Sequence, residues 1–255
     1  MFFVDTHTHL YAEEFSEDID EVISRATQQG VSKLLLPDID SNSRKNMMEL
    51  HSRFPETCLP MIGLHPTSVK EDYQSELQEI EKIITTQKFY GIGETGIDLY
   101  WDKTFICEQI EAFTFQIELA IRHNLPVIIH SRKSLHEIIP ILKKYFHRGL
   151  SGVFHCFPGN ISEARQVIDM GFYLGIGGVV TYKNSAMAAV VQHFGLDNLV
   201  LETDAPYLPP VPYRGKRNES SYIPEIASFI SRLITIPPEE VAFATSANAG
   251  KLFHL

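Results

Sequence analysis

The sequence predicts an α/β chain closed as a TIM (β/α)8 barrel, and three observations carry that prediction. Eight short apolar runs recur along the chain, each bounded by turn residues. Amphipathic stretches of helical period lie between them. The ends of these runs repeatedly carry histidine, aspartate or glutamate, and the C-terminal ends of barrel strands are where a TIM barrel collects its functional groups.

The runs are FFV (2–4), KLLL (33–36), CLPMIG (58–63), FYGIG (89–93), PVIIH (126–130), GVFH (152–155), FYLGIG (172–177) and NLVLETD (198–204). They are continuous rather than alternating, as expected of strands covered on both faces. Helical stretches include residues 17–30, 74–86, 105–124, 134–146 and 161–171. In the longest, Ile106, Ile110, Phe113, Ile117 and Ile121 recur at three- and four-residue steps. Gly30, Asn124 and Gly171 supply helix stops. APYLPPVPYRGKRNE (205–219) reads as a long loop after the eighth strand, with final helices at 220–234 and 238–252. A doubly wound open sheet is the competing architecture. Neither GIGETG (91–96) nor GIGG (175–178) has the glycine spacing of a dinucleotide-binding fingerprint.

With 255 residues, 44% of them hydrophobic, the chain suits one domain over 1–255. A net charge of −10 argues against a protein that coats DNA, but leaves room for local grip at a metal centre. Cys58, Cys107 and Cys156 form no CxxC pair and suit a reducing compartment. No basic leader and no apolar run of membrane-spanning length is evident, so a soluble cytoplasmic enzyme is expected.

His7 and His9 close the first run, two residues apart and so on one face of a strand. Asp38 follows strand two, His65 strand three, Glu94 strand four, His130 strand five, His155 strand six and Asp204 strand eight. His51, His123, His136, His147, His193 and His254 instead fall in or beside helices and read as surface or packing residues. Imidazoles with carboxylates suit zinc, and carboxylates with water also admit magnesium or manganese. The rim donors exceed what one tetrahedral ion takes, so a binuclear site is expected, with Glu94 as the bridge. The plainer readings are an ion pair for Glu94 and hydrogen-bonded core rings for His130 and His155. Cys156 should point away from His155 and pack.

Several segments together resemble the TatD family of metal-dependent hydrolases, one of the amidohydrolase-type barrels. They are VDTHTHL (4–10), GLHP (63–66), GETGIDLY (93–100), IIHSR (128–132), FHCF (154–157), ETDAPYL (202–208), RGKRNE (214–219) and NAGKLF (248–253). The resemblance spans nearly the whole chain in order. It implies a metal-dependent hydrolase of the TIM-barrel type, one or two divalent metals, and deoxyribonuclease activity of the exonuclease kind on single-stranded DNA. The family's ligands fall on His7, His9, Glu94, His130, His155 and Asp204, the set found at the rim. On this reading His7, His9 and Asp204 serve one ion, His130 and His155 the other, and Glu94 both. Asp204 also orients or deprotonates the attacking water. His65 contacts a phosphate or protonates the leaving group, and Arg132 offers a planar fork to a phosphate. Arg214, Lys216 and Arg217 form the densest basic cluster and are placed to steer a nucleic-acid backbone. Trp101, Tyr207 and Tyr213 are open either to base stacking or to lid packing. A monomer without an obligate protein partner is expected. An amide, ester or lactone hydrolase on the same barrel is the alternative chemistry, and a non-catalytic metal-binding barrel the alternative class.

Overall fold

The computed structural model describes residues 2–255. Eight parallel strands follow in chain order: β1 (Phe3–Asp5), β2 (Val31–Leu36), β3 (Cys58–Pro60), β4 (Ile92–Asp98), β5 (Val127–Arg132), β6 (Gly152–Phe154), β7 (Tyr173–Ile176) and β8 (Leu199–Leu201). Regular pairing runs through β1–β2–β3 and through β4 to β8. Two seams close the ring. Gly93 N donates to Ile62 O at 2.8 Å between strands three and four, and Thr6 N donates to Leu201 O at 3.0 Å between strands eight and one. The expected barrel is therefore the observed one.

Alternation builds its two layers. Leu35, Leu59, Ile128, Val153 and Val200 cluster together, whereas their neighbours Leu34, Leu36, Ile129, Phe154 and Leu201 belong to the separate cluster shared with the helices. The first cluster also contains Ala249, Leu252 and Phe253 of the last helix, α9 (Pro238–Phe253), which joins the barrel's inner core. Helices α1 (Ile19–Gln28), α2 (Ser41–Arg53), α3 (Tyr73–Ile83), α4 (Ile106–His123), α5 (Leu135–Leu142), α6 (Ile161–Asp169), α7 (Ala186–Phe194) and α8 (Ile223–Ile234) complete the set. On α4, Phe113 and Ile117 are fully buried, each contributing about 1.5–3 kcal/mol of apolar transfer. The helix ends at Asn124, whose φ of 52° is the left-handed stop its sequence suggested. Capping boxes start α2 (Asp40 with Ser43) and α6 (Asn160 with Glu163).

The largest boundary correction concerns the fourth strand, expected at 89–93 and found at Ile92–Asp98. The apolar run that marked it stops at Gly93, where the strand has only begun. Gly96 sits in the strand at φ +140°, and a Cβ there would lie 2.1 Å from the carbonyl oxygen of His130. Close approach of β4 to β5 is what requires glycine. Strand eight is also shorter than expected, so Asp204 lies three residues beyond it.

Candidate metal centre

Five strand ends bring the site together. His7 and His9 follow β1, Glu94 lies within β4, His130 within β5, His155 directly after β6 and Asp204 beyond β8. Glu94 is the hub. Its Oε2 is 3.2 Å from His7 Nε2 and 3.7 Å from His9 Nε2. Its Oε1 is 2.7 Å from His130 Nδ1, 3.5 Å from His65 Nε2 and 3.6 Å from His155 Nε2. One carboxylate thus turns a separate oxygen to each of two histidine groups. Asp204 Oδ1 lies 3.6 Å from His9 Nε2 and 3.8 Å from His7 Nε2. Among the described residues, three sets of donor atoms lie close enough to hold a cation: His7, His9 and Glu94; His65, Glu94 and His130; His7, His155 and Asp204. His65, expected to stand outside the ligand set, therefore shares its space.

The outward ring nitrogens show which inward ones offer a lone pair. Tyr11 donates its hydroxyl to Pro37 O, so it accepts from His9 Nδ1 at 2.8 Å, leaving His9 Nε2 as the free donor atom. Asp98 accepts from His130 Nε2 at 3.0 Å, which turns His130 Nδ1 inward. Glu202 Oε1 stands 3.2 Å from His155 Nδ1. Such outer oxygens fix tautomer and ring orientation in metal sites. His65 is the reverse case. Its Nδ1 accepts from the Thr67 backbone N–H at 3.1 Å, so in the neutral ring the proton sits on Nε2, which faces Glu94. His65 is thus a proton-bearing member of the cluster.

Tyr11, Asp98 and Glu202 were not foreseen. Two of them carried a signal: Asp98 stands four residues after Glu94 and Glu202 two before Asp204, even spacings that share a face in extended chain. For Asp98 the misplaced strand boundary hid it.

The donor set fits a divalent cation. His7 Nε2 and His9 Nε2 are only 3.2 Å apart, buried and aimed at the same carboxylates. Burial opposes ionisation of Glu94, but the charges of His65, His155 and His7 hold its carboxyl well below the usual range. Asp204 is likewise held low against burial, chiefly by His155. Burial also works against a charged His155, yet Glu202, Glu94 and Asp204 outweigh it and raise the ring to about 10. Burial keeps His7 and His65 low. Two ionised carboxylates, Glu94 buried and Asp204 half-buried, thus demand positive charge, which a divalent ion supplies while displacing protons.

The remaining candidates fall around this core. Arg132 is exposed, with its guanidinium 4.0 Å from the Tyr100 ring centre and 5.0 Å from that of Trp101. The basic cluster is divided. Arg214 lies over the Tyr182 ring at 4.4 Å and Lys216 is exposed. Arg217, however, grips both oxygens of Asp18 at 2.8 and 2.7 Å and covers the Phe15 ring. Its fork is occupied within the fold, which corrects its expected role in binding substrate. Tyr213 stacks on Tyr222 at 3.9 Å and is loop packing, whereas Tyr207 is exposed 6.3 Å from the His9 ring. Asp38 is fully buried, 2.7 Å from Arg44 Nε, and lies outside the cation-holding sets. Its backbone carbonyl receives Glu94 N at 2.9 Å. Cys156 packs in part against the core, while burial and the charges of Glu202, Asp204 and Glu94 push its thiol well above its ordinary value.

A parallel eight-stranded barrel with buried histidines and carboxylates at its strand ends defines the metal-dependent hydrolase class. Residues 4–254 match the TatD-related DNase family, and the chain belongs to that family. It is 38% identical over 252 residues to the uncharacterized metal-dependent hydrolase YabD of Bacillus subtilis, covering 98% of each chain. It is 30% identical to YcfH of Escherichia coli, another uncharacterized metal-dependent hydrolase, over all of this chain and 97% of that one. The crystal structure of YjjV, a TatD homolog from Escherichia coli, superposes with a TM-score of 0.93 at 29% identity, over 99% of this chain and 98% of that one. A TatD-family hydrolase from Entamoeba histolytica shares the fold at a TM-score of 0.87 and 24% identity, over 99% and 98%. The chain is thus a TatD-family metal-dependent hydrolase. Among the described residues, no helix is long and apolar enough to cross a membrane.

Proposed function

We propose that this hydrolase cleaves phosphodiester bonds of DNA, as an exonuclease on single strands, with two divalent ions of the zinc, magnesium or manganese kind. The observation that carries the reading is Glu94, whose Oε1 and Oε2 face separate histidine groups as a bridging carboxylate must. The family's description as a DNase supports the substrate. His7, His9 and Asp204 serve one ion, and His130 and His155 the other. Bound there, the ions supply Lewis-acid stabilisation of the phosphate oxygens.

The chain's own groups do the rest. Asp204 orients the attacking water and takes its proton, from a side chain more open than that of Glu94. His65 presents its Nε2 proton to the leaving oxygen or to a phosphate oxygen. Arg132 holds a flanking phosphate with its fork. Arg214 and Lys216 draw the strand toward the mouth, while Arg217 braces the loop. The working form is a cytoplasmic monomer, and the cysteine pattern supports the reducing compartment.

The test pairs 5′- and 3′-labelled single-stranded DNA with bis-p-nitrophenyl phosphate and a lactone, each with and without EDTA. The reading expects stepwise, EDTA-sensitive shortening of DNA from one end and little lactone turnover. Lactone cleavage with intact DNA would replace it with a carbonyl hydrolase.

A further inference from the structure

Beside the metal centre lies a cleft of about 280 Å³ whose walls include Pro66, Val69, Trp101 and Phe105, with Thr67 and Gln109 on its polar side. Both sides of the cleft are continuous with residues that face the centre. Thr67 holds His65 through its backbone N–H and, at 2.6 Å, its hydroxyl. Gln109 Oε1 accepts from Asp98 N at 2.9 Å, and Asp98 holds His130. The cleft is therefore about one residue removed from His65 and His130.

Its surfaces have the two features an aromatic heterocycle recognises. Trp101 is 67% exposed, an unusual state for the largest apolar side chain, and Arg132 lies within 5.0 Å of its ring centre. Asp98 Oδ1 accepts from Tyr100 N and Trp101 N at 2.8 and 3.1 Å, so the loop carrying Trp101 is tied to the carboxylate that orients His130. On the polar side, Gln109 is buried and its oxygen is engaged, while its amide nitrogen makes no hydrogen bond among the described residues. An apolar wall, an exposed indole and a free amide donor match the face and edge of a base. The volume sits near the lower limit of roughly 300 Å³ for pockets that take small organic ligands, enough for one nucleoside-sized group.

We propose that this cleft is a nucleobase subsite, with Trp101 as the stacking surface and Arg132 as the contact for the adjoining phosphate. It holds the base flanking the bond to be cut. Stacking accepts every base, so the subsite grips strand ends without reading sequence. The inference rests on the nuclease reading above and deepens it.

Trp101 is the only tryptophan in the chain, so its fluorescence reports on the cleft alone. The metal-loaded full chain is titrated with dAMP and, separately, with 2-deoxyribose 5-phosphate. Saturable quenching by dAMP with none by the sugar phosphate is expected. Trp101→Ala should raise KM for a single-stranded oligonucleotide roughly 5- to 150-fold, the span of base-stacking losses, and Trp101→Phe should recover most of it. Circular dichroism checks that both variants fold. If oligonucleotides are cut but dAMP is silent, or KM is unmoved in Trp101→Ala, the subsite is overturned and the nuclease stands. If dAMP quenches but no nucleic acid is cut, the nuclease reading fails and the base site stands.

Discussion

Glu94 occupies a position where charge, not size, does the work. Its two oxygens reach histidines on opposite sides, and its carboxyl is kept ionised against full burial. Glu94→Gln keeps the shape and removes the charge that would hold two cations in the proposed site. Native circular dichroism with turnover far below wild type is expected. Turnover within about tenfold, some 1.4 kcal/mol of barrier, would deny Glu94 the bridging role. Asp98 offers a subtler test. Its carboxyl is held down to about 2: burial opposes this, but the His130 bond and two backbone N–H groups prevail. Asp98→Asn weakens the acceptor for His130 Nε2 and loosens the tautomer that turns Nδ1 inward. Metal affinity, measured by calorimetry, should fall roughly 10- to 100-fold, as it does when such supporting partners are removed. Unchanged affinity would make Asp98 a loop anchor only. The histidines were legible because a barrel strand's end is a predictable place. Their supporting partners were not, because which nitrogen a ring turns inward depends on residues far away in sequence, such as Glu202 for His155.

Whole elements obey constraints that a residue-by-residue reading misses. β4 carries both Glu94 and Asp98, yet the apolar run that marked it stops at Gly93. Backbone crowding against β5 explains its glycines, so Gly96→Ala should force the two strands apart at His130 and lower both stability and metal content. A variant with native thermal midpoint and full metal content would contradict the close approach. The loop over 205–219 shows the opposite failure. Its basic density was visible, but not that Arg217 reaches Asp18, 199 positions away in the chain. Asp18 is held below its ordinary value of 3.8, first by its hydrogen bond to Arg217. A carboxyl with a depressed folded pKa contributes stability above its unfolded value, and that stability disappears as pH falls through the folded one. Arg217→Ala should therefore cost up to about 1 kcal/mol at pH 7, since the pair is partly exposed. The difference from wild type should shrink below pH 3.8. Lys216→Ala, by contrast, should leave stability unchanged and raise KM for an oligonucleotide several-fold. Its salt dependence should flatten by about 0.7 for each phosphate the side chain no longer neutralises. Urea midpoints at the two pH values, with salt titrations of KM, separate brace from steering. Equal stability losses in both variants would erase the distinction.

At the scale of the molecule, eight repeats of strand and helix made the barrel legible, because each unit writes the same pattern into the sequence. How the ring closes was not legible. The seams at Ile62 and Thr6 are made by backbone hydrogen bonds that lie largely beyond the short strands, and α9 joins the inner core through three residues that resemble any helix face. The same closure gives the metal centre a mechanical meaning. Its candidate ligands come from the ends of strands one, four, five, six and eight, on both sides of the seams. A cation held by all of them ties chain positions from His7 to Asp204, an arrangement the unfolded chain does not offer. Binding to the folded form alone stabilises by RT ln(1 + [L]/Kd), about 2.7 kcal/mol at a hundredfold excess over Kd. For a chain near this size each kcal/mol moves the thermal midpoint by about 2–4 °C. A rise of roughly 5–11 °C on adding zinc or manganese to EDTA-treated protein is expected, reversed by renewed chelation. Glu94→Gln should lose most of that rise, and its metal-free midpoint should fall below wild type, because the carboxylate that the facing histidines hold ionised is gone and His155 loses one of its partners. A midpoint indifferent to metal in the wild type, or an equal rise in Glu94→Gln, would show that the cation does not bridge the strands.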